Sequence, residues 1–418
     1  MFLTGSHVWL DLQDLATYPD FDFAGYLDFL SGQNYNFIRL WNLDEPYHRL
    51  VDPPDGTVIL GVSQPNGLPF VRPGPGTAAD AGPRYDLSQF NQDYFDRMRA
   101  RVIAAGNRGV YVSIMLFNGS WVNGGTATNW TFSQYNPANN VNGYTMAESD
   151  CYTMNNATWV TLMDAYVNKV IDTVNDLDNV LFEVINEAPP TSKSWQYHVI
   201  AHIKSYETNK PKQHPVGMTA YDNTSLDATT NNDLIQSQAD WISLSGRVGP
   251  TYTTTVVDSP ATKVSILDTD HTWGLDPAGN DSAWVWKSLT RGHNPIYMDP
   301  WTYASQSPPD AGIRTAMAVA NLLANGIDLQ HMVPNDAIAS TGYALANTGT
   351  GASYLVYQPG TGSFTVALTK GPFRYQWIDP ATGVASATST LGASGGVTQF
   401  TPPAQYTGGS LLYITAAH

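Results

Sequence analysis

Eight short apolar runs, separated by longer stretches that mostly have helical spacing, are the feature that most limits how this chain can fold. The runs are rich in β-branched residues and are bounded by Gly, Pro and Asn, which is typical of strands alternating with helices around a parallel sheet. Strands are predicted over residues 8–12, 37–41, 110–116, 180–185, 216–220, 241–245, 264–267 and 295–298. Eight such strands close a (β/α)8 barrel, so we expect this α/β fold.

Segments with helical periodicity separate the predicted strands. Helices are predicted over 23–32, 89–105, 157–177, 194–208, 226–238, 282–291 and 311–325. Two long segments rich in Gly, Pro and Asn, 52–83 and 118–151, are predicted as loops after the second and third strands. Loops at the carboxyl ends of barrel strands form the binding face of this fold.

After about residue 335 the pattern changes to short alternating runs with turns between them, at 353–358, 363–368, 373–378, 396–400 and 410–414. Strict alternation with frequent turns is typical of a small all-β sandwich. We therefore expect two domains, a barrel over 1–340 and a β-sandwich over 341–418.

The charge of the chain excludes some classes of partner. The sequence has 20 Lys and Arg against 36 Asp and Glu, a formal charge of −16, and contains no basic run. The negative electrostatic field that results from this charge opposes binding to nucleic acids and anionic membranes. No apolar segment approaches the roughly 18 residues that a membrane span needs. We expect neither partner, and the sequence does not indicate the oligomeric state.

The residue usage favours a secreted bacterial protein. Cys151 is the only cysteine, so an intramolecular disulfide is excluded. Few charges and many Asn, Thr, Gly and Tyr residues suit an extracellular environment. Met1 directly precedes a strand-like segment, and we interpret this start as a chain without its signal peptide.

The sharpest local signal is the predicted fourth strand, residues 180–185, which is followed directly by Asn186 and Glu187 and then by two prolines. A carboxylate at the carboxyl end of a barrel strand lies on the active-site face. Glu187 is therefore the first catalytic candidate. By the two-residue period of a strand, Glu183 points into the barrel and needs a counter-charge, for which Arg39 is the best placed cation.

These motifs give the chain a family resemblance. It resembles the clan A glycoside hydrolases, retaining (β/α)8 enzymes whose fourth strand ends in Asn-Glu, over residues 1 to about 335. The segments 4–9, 36–41 and 377–383 are similar to those of apiosidase-like bacterial hydrolases with a C-terminal β domain of the collagen-binding type. The resemblance implies a carbohydrate substrate and a catalytic acid/base role for Glu187.

The second carboxylate departs from the family pattern, in which a Glu ends the seventh strand. The five Glu residues of this chain are all elsewhere, at Glu45, Glu148, Glu183, Glu187 and Glu207. Alignment of the seventh strand places Asp268 at the position of the nucleophile. Asp270 lies two residues further on the same face and remains an alternative. The two Asp residues also have a non-catalytic interpretation, as hydrogen-bond acceptors for loop amides or as cation ligands.

Polar and aromatic residues near the strand ends are predicted to contact the sugar, and Asn186 is expected to hydrogen-bond its 2-hydroxyl. Aromatic side chains stack on the apolar faces of sugars. The predicted substrate-binding residues are His7, Trp9, Arg39, Trp41, Asn118, Trp121, Asn186, Tyr221, His271, Trp273, Asp299 and Trp301.

We predict neither a metal nor a nucleotide cofactor. His7, His271 and His293 are too far apart in sequence to form a local metal motif, and the chain lacks an HExxH sequence. The sequence therefore favours a retaining hydrolase of neutral glycans, in particular β-glycans. Two alternatives remain open: an inverting hydrolase with Asp268 or Asp270 as base, and a non-catalytic carbohydrate-binding or adhesion protein.

Overall fold

Eight parallel strands close into a barrel, as the alternating pattern predicts. The structure is a computed structural model that describes residues 1–8, 11–13, 21–42, 47–52, 57–62, 67–123, 127–221, 229–244, 263–269, 282–298 and 311–417. The barrel strands, called first to eighth here, are Gly5–His7, Phe37–Leu40, Tyr111–Asn118, Val180–Asn186, Val216–Thr219, Trp241–Ser243, Val264–Asp268 and His293–Met298. Each pairs with its neighbours in chain order, and the first pairs with the eighth. The predicted (β/α)8 fold is confirmed.

The first strand lies earlier in the chain than predicted, at Gly5–His7 instead of 8–12. The apolar character of Val8 and Leu12 favoured the later segment, but both side chains are buried in the main hydrophobic core outside the strand. Gly5 is required in the strand because a Cβ there would lie 1.9 Å from the carbonyl oxygen of Phe37. The strand is thus marked by a glycine and polar residues, which hydrophobic patterning overlooks.

All seven predicted helices are found, with ends that differ by a few residues. They are Phe23–Gly32, Gln92–Gly106, Ala157–Val174, Lys193–Glu207, Thr229–Gln236, Ala283–Thr290 and Ala311–Gly326. Helix Ala157–Val174 begins after Asn156, whose side-chain oxygen accepts from the Thr158 N–H at 3.0 Å. Among the described residues, no helix combines the length and apolar character needed to cross a membrane.

The two segments predicted as loops contain regular structure. The first includes strand Thr57–Val62, which pairs with Tyr47–Asp52, and strand Phe70–Val71, which pairs with Asp86–Phe90. The second contains the short helices Ser120–Asn123 and Ala127–Phe132. Four 3₁₀ turns complete the described elements, at Glu148–Asp150, Pro190–Ser192, Leu329–His331 and Asp336–Ile338.

A six-stranded antiparallel sheet forms the C-terminal part of the protein. In spatial order its strands are Val333–Pro334, Ala344–Asn347, Ser353–Gln358, Ser410–Ala416, Phe364–Ile378 and Ser389–Phe400. Two of the predicted strands, 363–368 and 373–378, are therefore one continuous strand. The predicted all-β domain is confirmed, and the division at residues 340 and 341 stays a prediction.

The long strand Phe364–Ile378 folds over its own core. The rings of Phe364 and Trp377 are 5.9 Å apart, whereas a straight strand would separate residues thirteen positions apart by about 43 Å. Both rings also pack against Phe400. The two ends of this strand therefore pack on one apolar core within a single hydrogen-bonded sheet, and the sandwich stays a prediction.

The other face of this sheet packs against the barrel. Leu355, Tyr357 and Leu411 belong to the same buried cluster as the barrel helices. At the edge of this contact, the guanidinium of Arg291 lies 4.4 Å from the ring centre of Tyr343. The sheet therefore shares the barrel's hydrophobic core.

Gly217 on the fifth strand gives room to the indole of Trp241, and its replacement tests this packing. A Cβ at Gly217 would lie 1.9 Å from Cε2 of Trp241, so Gly217→Ala should lower the free energy of unfolding by about 3 kcal/mol. Gly32→Ala is the control, because nothing lies within 4 Å of its Cβ position, and it should change stability by no more than about 1 kcal/mol. Urea denaturation measures both, and equal effects would contradict the packing described.

Candidate active site

Side chains that point into the barrel change from apolar to polar along the strands. Near the amino ends, a buried apolar cluster contains Leu3, Phe37, Leu181, Trp241, Ile266 and Ile296. Two residues further along the second, fourth, sixth and seventh strands, the inward side chains are Arg39, Glu183, Ser243 and Asp268, all buried. The barrel is thus closed by apolar packing at one end and holds a polar cluster toward its carboxyl ends, the face that carries active sites in this fold.

Arg39 connects the polar side chains of three strands. Its Nε donates to Glu183 Oε2 at 2.9 Å, and its Nη2 donates to Glu183 Oε1. Nη1 donates to Asp268 Oδ2 at 3.0 Å, and Nη2 also donates to Asn186 Oδ1 at 2.7 Å. The predicted Arg39–Glu183 pair is confirmed, and the same guanidinium also holds the ends of the fourth and seventh strands.

Asp268 receives a second contact from the first strand. His7 Nδ1 lies 2.7 Å from Asp268 Oδ2, the oxygen that also accepts from Arg39. The Trp41 ring packs 5.0 Å from the imidazole of His7 and 4.9 Å from the guanidinium carbon of Arg39. His7 Nε2 is buried without a hydrogen-bond partner in the described part of the chain. Asp268 is therefore held in one orientation by two donors, which Trp41 keeps in place.

Glu187 lies at the end of the fourth strand in a strained backbone conformation. Its φ is +48°, in the left-handed region that costs a non-glycine residue about 1–2 kcal/mol. Its side chain is half-buried. Gly119 permits this conformation, because a Cβ at Gly119 would lie 2.5 Å from the Glu187 carbonyl oxygen. Strain of this kind persists where surrounding structure fixes it, which occurs often at functional sites.

The other described candidates at strand ends are engaged in protein contacts. Trp121 is buried, donates through Nε1 to the Tyr152 hydroxyl at 3.0 Å, and stacks on Trp130. Asn118 is buried, and its carbonyl accepts from the Tyr152 hydroxyl at 2.9 Å. The Tyr221 hydroxyl lies 3.5 Å from Asp233 Oδ2. Their contacts with substrate stay predictions.

Six predicted site residues lie outside the described residues, one after the first strand and the others after the seventh and eighth. They are Trp9, Asp270, His271, Trp273, Asp299 and Trp301.

Asp11 belongs to the surroundings of the site and was not a sequence candidate. It is fully buried, and its Oδ1 accepts from the backbone N–H of Trp41. Burial raises the pKa of the Asp11 carboxyl to about 8, against the smaller opposing effects of the Trp41 N–H and Arg101. Asp11 thus fixes the backbone of the residue that packs on His7 and Arg39. Because it does not end a strand, the sequence carries no signal for this role.

The fold and this cluster define a (β/α)8-barrel protein with an ion-paired polar site at the carboxyl ends of its strands. Residues 64–245 match the family model of DUF6298, a domain of unknown function. No curated protein matches the chain.

Solved structures with the same fold cover nearly the whole chain. One, described as a glycoside hydrolase, has a TM-score of 0.61 and 15% identity, and the match covers 100% of this chain and 93% of the other. A glycoside hydrolase of family 5 from Bacteroides vulgatus has a TM-score of 0.64 and 14% identity, with coverage of 100% and 89%. At this identity the likeness establishes the fold.

The contacts of Arg39 predict its contribution to stability. Arg39→Met leaves Glu183 and Asp268 buried without their counter-charge, and we expect a loss of about 3–5 kcal/mol in the free energy of unfolding. Arg108→Met is the matched control, since its 2.8 Å pair with Asp28 is largely exposed and is worth less than about 1 kcal/mol. Urea denaturation compares the two, and a similar loss in both variants would refute the assigned role of Arg39.

The raised pKa of Asp11 predicts a pH dependence of stability. Between about pH 4 and pH 8 the native protein retains a proton that the unfolded chain has lost, so stability falls as pH rises through this window. Relative to Asp11→Asn, which does not ionise, the wild type should lose up to about 1.4 kcal/mol per pH unit. Urea denaturation at about pH 5 and pH 7.5 measures this difference, and parallel profiles would show that Asp11 is ionised when folded.

Proposed function

We propose that this protein is a glycoside hydrolase in which Glu187 and Asp268 are the two catalytic carboxylates. The observation that carries the proposal is the contact of Arg39 with both Asn186, the residue before Glu187, and Asp268. One buried guanidinium therefore links the fourth and seventh strand ends, and hydrolysis of a glycosidic bond requires one carboxylate on each side of the anomeric carbon.

In the proposed mechanism Glu187 first acts as an acid. It donates its proton to the glycosidic oxygen while an Asp268 oxygen attacks the anomeric carbon, so the bond to the leaving group breaks and a glycosyl ester forms. Glu187, now ionised, takes a proton from a water molecule that attacks the same carbon. The ester bond breaks, Asp268 is released as a carboxylate, and the configuration of the sugar is retained.

Two contacts support Asp268 as the nucleophile. Arg39 and His7 both donate to its Oδ2, which stabilises the ionised carboxylate and limits its rotation. Asp268 has a shorter side chain than the Glu that occupies this position in the glycoside hydrolases that the chain resembles. The burial of Asp268 at 1% exposure implies that a substrate has to reach into the barrel mouth.

The substrate class follows from the charge and the aromatic content. A formal charge of −16 disfavours polyanionic glycans such as uronate-rich polymers. We infer a neutral polysaccharide or oligosaccharide, in particular a β-glycan, and an extracellular location where such polymers occur. The sugar would stack on aromatic side chains of the strand ends, of which Trp41 lies directly beside His7 and Arg39.

The short side chain of Asp268 also favours a second candidate mechanism. A carboxylate that is one methylene shorter than Glu leaves more space above it, and an inverting hydrolase needs roughly 6.5–9.5 Å between its carboxyl groups to admit a water molecule. Asp268 or Asp270 would then act as the base for that water. A non-catalytic glycan-binding protein is the third candidate, in which Arg39, Glu183 and Asp268 form a structural ion-pair network alone.

Activity on a panel of neutral and acidic polysaccharides tests the proposal. Wild type should release reducing sugar from a neutral glycan, and Glu187→Gln should slow this release by about 10²- to 10⁴-fold while the fold is preserved. Glu148→Gln, a partly buried Glu outside the barrel strands, is the matched control and should keep full activity. An active Glu187→Gln enzyme would rule out the assigned acid.

The same panel assigns the second carboxylate. Asp268→Asn should abolish activity and Asp270→Asn should not, and nuclear magnetic resonance of the first product should show retained configuration. Inverted product would favour the water-activating mechanism. Glycan binding without any release of sugar would favour the non-catalytic candidate.

A further inference from the structure

Two neighbouring helices outside the barrel are joined by three matched polar pairs. Helix Ala157–Val174 contributes Asp164, Asn168 and Asp172, and helix Lys193–Glu207 contributes His198, His202 and Tyr206. The pairs are Asp164 with His198, Asn168 with His202, and Asp172 with Tyr206. We call these six residues the helix ladder. It is separate from the polar cluster inside the barrel.

The first two pairs bring three metal-binding side chains together. His198 and His202 are four residues apart and lie on one face of their helix, where their rings stack 5.9 Å apart. His198 Nε2 lies 2.9 and 3.0 Å from the two Asp164 oxygens. One ligand atom from each of Asp164, His198 and His202 lies within 4.8 Å of the others. This His-x₃-His pair differs from the HExxH motif and was not a sequence candidate.

Asn168 sets the orientation of His202 as an outer partner does for a metal ligand. The Asn168 Oδ1 lies 2.8 Å from His202 Nε2, and an amide oxygen accepts only, so Nε2 carries the hydrogen. In the neutral ring, Nδ1 then presents a lone pair. A hydrogen bond from the second ring nitrogen to a fixed acceptor is the usual support of a metal-binding histidine.

The lone pair of His202 faces a carboxylate. Its Nδ1 lies 3.8 Å from Asp164 Oδ2, which is too long for a hydrogen bond. Two ligands that each lie about 2.1 Å from one tetrahedral zinc ion are roughly 3.4 Å apart. The spacing therefore fits two ligands of one ion more closely than a direct pair.

We propose that Asp164, His198 and His202 bind a divalent transition-metal ion, Zn²⁺ in particular, with water completing the coordination. Two imidazoles and one carboxylate are a donor set that suits zinc. The side chains are 21–31% exposed, so an ion enters from solvent without opening of the fold. The ion would cross-link two outer helices, and this role does not depend on the proposed hydrolase activity.

Zinc titration of the full chain, prepared without a polyhistidine tag and stripped with chelator, tests the proposal by calorimetry. We expect one zinc ion per chain. Removal of an outer partner weakens metal binding by about 10- to 100-fold, so Asn168→Ala should fall in that range. His202→Ala removes a ligand and should weaken binding by more than about 100-fold. Zinc should also raise the Tm of wild type but not that of His202→Ala.

Two further variants separate metal binding from hydrogen bonding and from general surface binding. Asp164→Asn retains an acceptor for His198 but lacks the charge, and it should lose zinc affinity while circular dichroism remains unchanged. His331→Ala is the matched control, since His331 pairs with Asp328 at 2.7 Å on a 3₁₀ turn, and it should bind zinc as wild type does. Absence of binding in wild type, or equal binding in wild type and His202→Ala, would overturn the proposal.

Discussion

The site depends on the ion pairs and hydrogen bonds that the buried guanidinium of Arg39 forms. Taking a cation and two carboxylates out of water is costly, and it is offset only when the geometry satisfies each group. The planar fork of Arg meets Glu183 with two nitrogens and still reaches Asp268 and Asn186. A Lys at this position would offer a point charge without the fixed directions that join three strands. Arg39 therefore both holds these strand ends in position and balances the negative charges between them.

The apolar cluster beneath this network explains why the network is directed to one end of the barrel. Phe37, Leu181 and Trp241 fill the interior near the amino ends, and the absence of a side chain at Gly217 admits the Trp241 ring. The polar groups above them have only the carboxyl face through which to meet a substrate. Glu187, strained and half-buried, lies on that face. On the second, fourth and seventh strands, the apolar packing and the ion pairs thus come from residues that are only two positions apart.

The sequence predicts those features that follow from local periodicity. Seven barrel strands, the seven helices and the Arg39–Glu183 pair depend on periods of two or 3.6 residues, which are visible in one chain. The prediction of the first strand, 8–12, is wrong because the strand is marked by Gly5. This glycine is required by its close contact with Phe37, and hydrophobic periodicity does not reveal such a contact. Asp11 and the folded strand Phe364–Ile378 depend on contacts between segments distant in sequence. Local patterns do not encode such contacts.

The helix ladder has a consequence for how this region tolerates change in chain length. Each of its three pairs joins residues that are 34 positions apart, so the two helices run side by side in a constant register. An insertion or deletion of one residue within either helix would rotate every later side chain by about 100°. The pairs beyond the change would then be lost together, whereas point substitutions remove them singly. A change of chain length in this part of the molecule keeps all three pairs in place only if it falls in the connection between the helices, residues 175–192, which contains the fourth barrel strand and Glu187 itself.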